Sequence, residues 1–161
     1  MTNLQFFKAC FANELKATKE IIAALPNGHM DYRPHPVNRS AYEIAEHIIA
    51  HVADLAVILQ NDKCDEILVY PFQNAEDGAN KLNLLWDQVT ALLEDYPEER
   101  WIGESVELLV GGKPLLTLPR VQLIWFFFFD IIHHRGQLSS YIRPMGGKNP
   151  AVYGYSADTM G

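Results

Sequence analysis

Apolar residues recur every third or fourth position near the start of the chain: Leu4, Phe7, Phe11, Leu15 and Ile22, with Thr18 in the same register. This period predicts an amphipathic helix over residues 2–25. Thr2, with Gln5 three positions on, forms a capping-box pattern at its start, and Pro26-Asn27-Gly28 ends it. Pro34 and Pro36 make residues 29–39 an irregular connection. Ser40 and Glu43 repeat the capping-box pattern. The helix they open carries Ile44, His47, Ile48, His51, Leu55 and Ile58 to about Asn61. A third helix is predicted from about Asn74 to Tyr96, with Leu82, Leu85, Trp86, Val89 and Leu93 on one face and Pro97 as its stop.

The period then changes. Val106, Leu108 and Val110 alternate with Glu107 and Leu109, Gly111-Gly112 follows, and Leu115, Leu116 and Leu118 come after it. Alternation around a glycine pair predicts a β-hairpin. It is too short to stand alone and reads as an insertion. Pro119 suits the first turn of a fourth helix reaching Ile142, before Pro144 and Gly146-Gly147. The expected class is all-α: a four-helix bundle with a short hairpin before its last helix, one domain over residues 1–161.

Composition narrows the function classes. Hydrophobic residues make up 48% and charged residues 20%, an ordinary globular balance, and the formal net charge is -7. Such a chain has no electrostatic reason to seek nucleic acid or an anionic membrane. Cys10 and Cys64 form no CxxC pair and read as reduced thiols of a cytoplasmic protein. The N-terminal residues lack a signal-peptide pattern. The longest apolar run, Leu123 to Phe129, is far short of the ~20 residues that span a bilayer.

The candidate chemistry lies on the fourth helix. Asp130 and His134 are four residues apart, which puts both on one helix face, one turn apart. A carboxylate and an imidazole directed together into a bundle interior suit a metal ion. An unpaired buried carboxylate is costly, so compensation is required. A metal supplies it; so does Arg135, or a hydrogen bond to His133 or His134. His47, on the apolar side of the second helix, is either a satisfied core histidine or a third ligand. Two histidines and one carboxylate are a common donor set for Zn²⁺, Ni²⁺ or Fe²⁺. His133, about 100° around the helix, replaces His134 if the helix is rotated. His29 and His35 read as surface residues. Trp86, Trp125 and Phe126 to Phe129 read as core or as a subunit seam, since four consecutive phenylalanines cover every side of a helix.

The segment His133-His134-Arg135-Gly136-Gln137-Leu138, with Tyr141-Ile142-Arg143, Gly146 and Pro150 to Ser156, resembles the DinB-like family of damage-inducible bacterial proteins. The resemblance covers nearly the whole chain. It implies an up-down-down-up bundle, usually dimeric, with three side chains binding one divalent transition metal (Zn, Ni, Fe or Mn). Those side chains match His47, Asp130 and His134, although the middle position is often histidine. It also implies a metal-dependent enzyme that transfers a low-molecular-weight thiol to an electrophilic substrate. Arg135, Gln137 and Tyr141 are then candidates for positioning substrate or supporting the ligands. The alternatives are a metal-dependent hydrolase and a non-enzymatic, metal-stabilised homodimer of the stress response. The family name reflects induction by DNA damage and implies no DNA binding.

Overall fold

The computed structural model describes residues 1–160. Four long helices, α1 (Asn3–Ala23), α2 (Ala41–Gln60), α3 (Ala75–Glu94) and α5 (Arg120–Ile142), are joined by a short helix α4 (Glu98–Gly103) and strands β1 (Lys63–Asp65), β2 (Ser105–Val110) and β3 (Lys113–Pro119). Both expected capping boxes form: Thr2 accepts the Gln5 N–H and Ser40 accepts the Glu43 N–H, each with the reciprocal side-chain bond. Asn74 caps α3 by accepting the Asp77 N–H.

Contacts along the helices fix their relative directions. α1 packs on α3 and α5, and α2 packs on the same two. Asn3 meets Trp125 and Glu14 meets Arg135, so α1 and α5 run parallel. Lys8 reaches Glu94 and Lys19 reaches Asn83, so α1 and α3 are antiparallel. Asn38 meets Tyr141 and Ile58 meets Arg120, so α2 and α5 are antiparallel. The core between them is strongly aromatic. Phe11 stacks on Trp86 with ring centroids 4.1 Å apart, and Phe7 touches Phe11, Trp101, Trp125 and Phe128.

Two features depart from the sequence expectation. The hairpin forms, with Gly111 and Gly112 at positive φ (59° and 75°), the conformation that lets two glycines close a tight turn. It is joined by β1, which pairs in parallel with β2, giving a three-stranded sheet in the order β1-β2-β3. β1 has only three residues, too few to show a period in sequence. α4 is the second departure, a single turn and a half after Pro97 that buries Trp101. Of the Phe126 to Phe129 run, Phe127 and Phe128 are buried while Phe126 and Phe129 are each 59% exposed. One chain therefore covers only half of that surface.

Buried Arg120, the first residue of α5, ties the long helices to the insertion. Its guanidinium donates to the carbonyls of Ile58 and Asn61 at the end of α2 and to Glu104 before β2. Of the carbonyls left open by the last turn of α2, that of Ile58 is thus satisfied by α5 and that of Leu59 by the Tyr96 hydroxyl.

Candidate metal centre

The site lies in the seam between α2 and α5. Each helix contributes two residues one turn apart: His47 and His51 from α2, Asp130 and His134 from α5. Because the helices are antiparallel and packed together, the two pairs face each other. The Asp130 Oδ2 atom is their focus. It lies 3.4 Å from His47 Nε2, 3.0 Å from His51 Nε2 and 3.2 Å from His134 Nε2. The donor atoms of His47, Asp130 and His134 fall within 4.8 Å of one another.

Outer partners orient two of the rings. His134 Nδ1 lies 3.0 Å from Gln137 Oε1. With that oxygen as acceptor, Nδ1 carries the proton and Nε2 is the donor atom. His51 Nδ1 lies 3.2 Å from Asp54 Oδ2, and Asp54 is fully buried. The other Asp54 oxygen accepts the Ile67 N–H at 3.0 Å, with the Cys64 thiol 3.7 Å away. Histidines whose far nitrogen is held by a carboxylate or amide oxygen are the usual form of metal-binding imidazole.

The electrostatics follow from this crowding. Burial opposes the Asp130 charge, but hydrogen bonds from His134, His47 and His51 outweigh it and hold its carboxyl far below the ordinary range. Burial lowers His47 despite its bond to Asp130. Burial also works against charge on His51, yet bonds to Asp130 and Asp54 overcome it and hold the ring above the usual histidine value. Burial next to Asp54 pushes the Cys64 thiol up to about 12, which makes it inert rather than nucleophilic.

The donor set fits a divalent ion. Ligands about 2.0–2.2 Å from a metal lie about 3–3.5 Å apart as neighbours, and the separations of Asp130 Oδ2 from His47 Nε2 and His134 Nε2, 3.4 and 3.2 Å, are of that size. His51, between two carboxylates, donates to both as the imidazolium, whereas neutral His134, with its Nδ1 proton on Gln137, aims a lone pair at an anionic oxygen. That arrangement needs either an added proton or a cation among the donors. His47 also lines a surface depression of about 410 Å³ with Arg33, Asn38, Arg39 and Glu46, which gives the cluster access to solvent. A larger depression, about 590 Å³ between α1 and α3, holds none of these groups.

His47, Asp130 and His134, the three candidates from sequence, are thus brought together. His133 is exposed on the other side of α5. Arg135 is not the partner of Asp130: buried, it pairs with Glu14, Thr18 Oγ1 and the Tyr153 hydroxyl. Tyr141 bonds to the connection at Asn38 and Arg39, while Gln137 supports His134. His51, noted in sequence only as the neighbour of His47, belongs to the cluster. Asp54 and Glu66 were not picked out; Glu66 forms a second potential ligand group with His47 and His51. The signal for Asp54 was present, since His47, His51 and Asp54 share one face of α2 at i, i+4 and i+7.

Fold and site together define a mostly helical protein with a candidate His/carboxylate metal centre between two long helices. The chain belongs to the DinB family, whose model matches residues 1–160. An uncharacterised protein of Bacillus subtilis, YjoA, is 27% identical over 147 residues, covering 84% of this chain and 86% of that protein. The crystal structure of that DinB-like protein aligns with a TM-score of 0.68 at 20% identity, over 86% of this chain and 90% of the other. A DinB-like protein of Bacillus cereus aligns with a TM-score of 0.69 at 16% identity, over 90% and 94%. At such identity the structural matches establish the fold alone. Among the described residues, no helix is long and apolar enough to cross a membrane.

Proposed function

We propose that the protein is a metal-dependent enzyme in which His47, Asp130 and His134 hold one divalent transition ion. The reaction we assign is transfer of a low-molecular-weight thiol to an electrophile. The observation that carries this reading is the convergence of three donor atoms from two helices beside a solvent-accessible depression. A bound divalent ion would act as a Lewis acid, stabilising a thiolate at neutral pH. The chain supplies the rest. Gln137 fixes the His134 tautomer. Arg39 and Arg33 bring positive charge to the depression beside His47, suited to an anionic substrate. Glu46, whose carboxyl is pushed up by burial, lines the same depression and can accept the thiol proton.

One observation favours a non-enzymatic rival. Three imidazoles already satisfy Asp130 without an ion, so a polar cluster that only stabilises the fold is chemically complete. Metal analysis of untagged protein separates the two. The enzyme reading expects close to one divalent ion per chain after incubation with Zn²⁺, Ni²⁺ or Mn²⁺, and metal-dependent loss of free thiol with a small electrophile. Negligible metal sinks it. Metal without turnover leaves the non-enzymatic bundle.

The helix directions support the finer architectural reading, a single-domain four-helix bundle of up-down-down-up topology over residues 1–161. Exposed Phe6 and Phe129, both against Trp125, together with exposed Phe126 on the same helix as Phe129, supply apolar surface for a second copy. Sedimentation as a monomer at micromolar concentration refutes the homodimer. The two free cysteines, Cys10 and Cys64, support a cytoplasmic setting.

A further inference from the structure

We propose that His51, held by the buried Asp54, is the residue that positions Asp130 at the metal centre; the inference rests on the metal reading above. Asp130 is the most solvent-accessible member of the cluster, with a side chain 29% exposed. A short carboxylate in that position is free to rotate unless something holds its oxygen. His51 Nε2 is its closest partner, at 3.0 Å.

His51 cannot swing away. Its Nδ1 is bound to Asp54 Oδ2 at 3.2 Å, and its ring edge packs on Phe127 with centroids 4.6 Å apart. Asp54 is fixed in turn by its complete burial and by the Ile67 N–H. A chain of contacts therefore runs from the backbone at Ile67 through Asp54 and His51 to Asp130. Burying a carboxylate costs several kcal/mol unless it is paired. Asp54 spends one oxygen on the Ile67 amide and the other on the His51 ring, so its burial serves to fix the direction of that ring.

His51 acts beside the ligands rather than as one. The donor atoms of His47, Asp130 and His134 lie within 4.8 Å of one another, whereas both ring nitrogens of His51 are taken by carboxylates, Nδ1 by Asp54 and Nε2 by Asp130. The resemblance described above makes histidine common at position 130. A carboxylate there presents a smaller, freely rotating ligand, and an outer partner fixes which oxygen faces the centre. Coupling between His51 and the identity of residue 130 is the consequence that a purely structural role does not share.

The test is competition for Zn²⁺ against a chromophoric chelator, using full-length untagged protein. His51→Phe keeps the ring on Phe127 and removes both hydrogen bonds. His51→Phe with Asp54→Asn does the same without leaving a buried carboxylate, and covers the case in which the single variant does not fold. Either variant should weaken Zn²⁺ binding about 10–100-fold with Asp130 present. In an Asp130→His background the same changes should alter binding by no more than about twofold. Equal losses in both backgrounds assign a general structural role and overturn the proposal. So does unchanged affinity with Asp130 present, or a Co²⁺ absorption spectrum showing one imidazole fewer in the variants. Wild-type protein that binds no Zn²⁺ at all overturns the metal reading itself. Wild-type binding that the His51 changes leave intact overturns only this inference.

Discussion

Replacing Asp130 with asparagine separates the metal centre from a merely satisfied polar cluster, because the two make different thermal predictions. Asparagine has nearly the same shape, so packing between the two helices is preserved. In the metal-free protein the change removes an anionic acceptor from three imidazoles. A hydrogen bond to a charged group is worth about 1.5–3 kcal/mol, and partial exposure of Asp130 reduces this, so the expected loss is about 1–2 kcal/mol. For a chain of 161 residues, 1 kcal/mol corresponds to about 2–4 °C in Tm, which gives a fall of about 2–8 °C. Metal acts separately. An ion at one hundred times its Kd stabilises the native state by about 2.7 kcal/mol, a rise in Tm of about 5–11 °C. Asp130→Asn should abolish that rise, since a neutral amide is a poor ligand and the ion loses charge compensation. Asp130→His should retain it and shift selectivity from harder ions such as Mn²⁺ towards Zn²⁺ or Ni²⁺. The assay is a thermal melt of each variant with and without added metal. A full metal-induced shift in Asp130→Asn would show that Asp130 is not a ligand, leaving only its role as an acid satisfied by histidines.

The remaining predictions test the surroundings. His134→Ala should lose the metal-induced shift while His133→Ala keeps it; the reverse result in a metal titration would place His133 in the site. Arg135→Met leaves half-buried Glu14 with only the Tyr153 hydroxyl and removes the contact of Arg135 with Tyr153, so urea denaturation should show a loss of about 1–3 kcal/mol; a loss within error would mean that the pair is dispensable. Hydrogen bonding to Arg33, then to the Ser40 backbone, lowers Glu43 to about 2. Its folded value lies below its unfolded value of about 4.3, so its stabilisation is present above pH 4.3 and lost as pH falls towards 2; solvent screening keeps it below about 1 kcal/mol. Urea midpoints of Glu43→Gln and wild type should therefore converge at low pH, and a constant gap refutes the assignment. Ile67→Pro removes the N–H bound by Asp54 without touching a side chain of the cluster. Its Zn²⁺ affinity should fall, and unchanged affinity in a folded protein would break the proposed line of contacts at that point.

The sequence carried the helices because each has a repeating apolar face, and the first two are marked a second time by a capping box at the start. Thr2/Gln5 and Ser40/Glu43 form in three dimensions the bonds that their spacing predicts. Asp130 and His134 were legible for a similar reason, since four residues on a helix is a distance in space. What escaped depends on pairing across the chain. β1 is a strand only because β2 lies beside it: Lys63 pairs with Glu107 and Asp65 with Leu109, some 44 positions on. Nothing in the three residues of β1 announces this. Asp54 looked like an ordinary polar residue of α2, because its partners, the amide of Ile67 and the Cys64 thiol, arrive from beyond the helix end. The sequence could not separate Arg135 from Asp130 either; its partners, Glu14 and Tyr153, lie more than a hundred residues before it and in the C-terminal tail.

The charge balance of the site bears on what it attracts. Near the seam, Asp54, Glu66 and Asp130 supply three carboxylates against the imidazoles of His47, His51 and His134. The chain as a whole carries a formal charge of -7. A field of that sign concentrates cations and repels anions at long range. On the proposed reading an anionic substrate would therefore be recognised locally. The groups placed for it are Arg33 and Arg39, at the depression that His47 opens onto. Arg33 is already paired with Glu43, at 2.8 Å. Arg39 remains the cation with charge to spare beside His47, which it also holds down by repulsion after burial and the neighbouring His51 have acted. On the proposed reading the site is divided: a carboxylate-rich floor between α2 and α5 to draw in a metal, and at the rim Arg39, the arginine not committed to a carboxylate, to meet an anionic substrate.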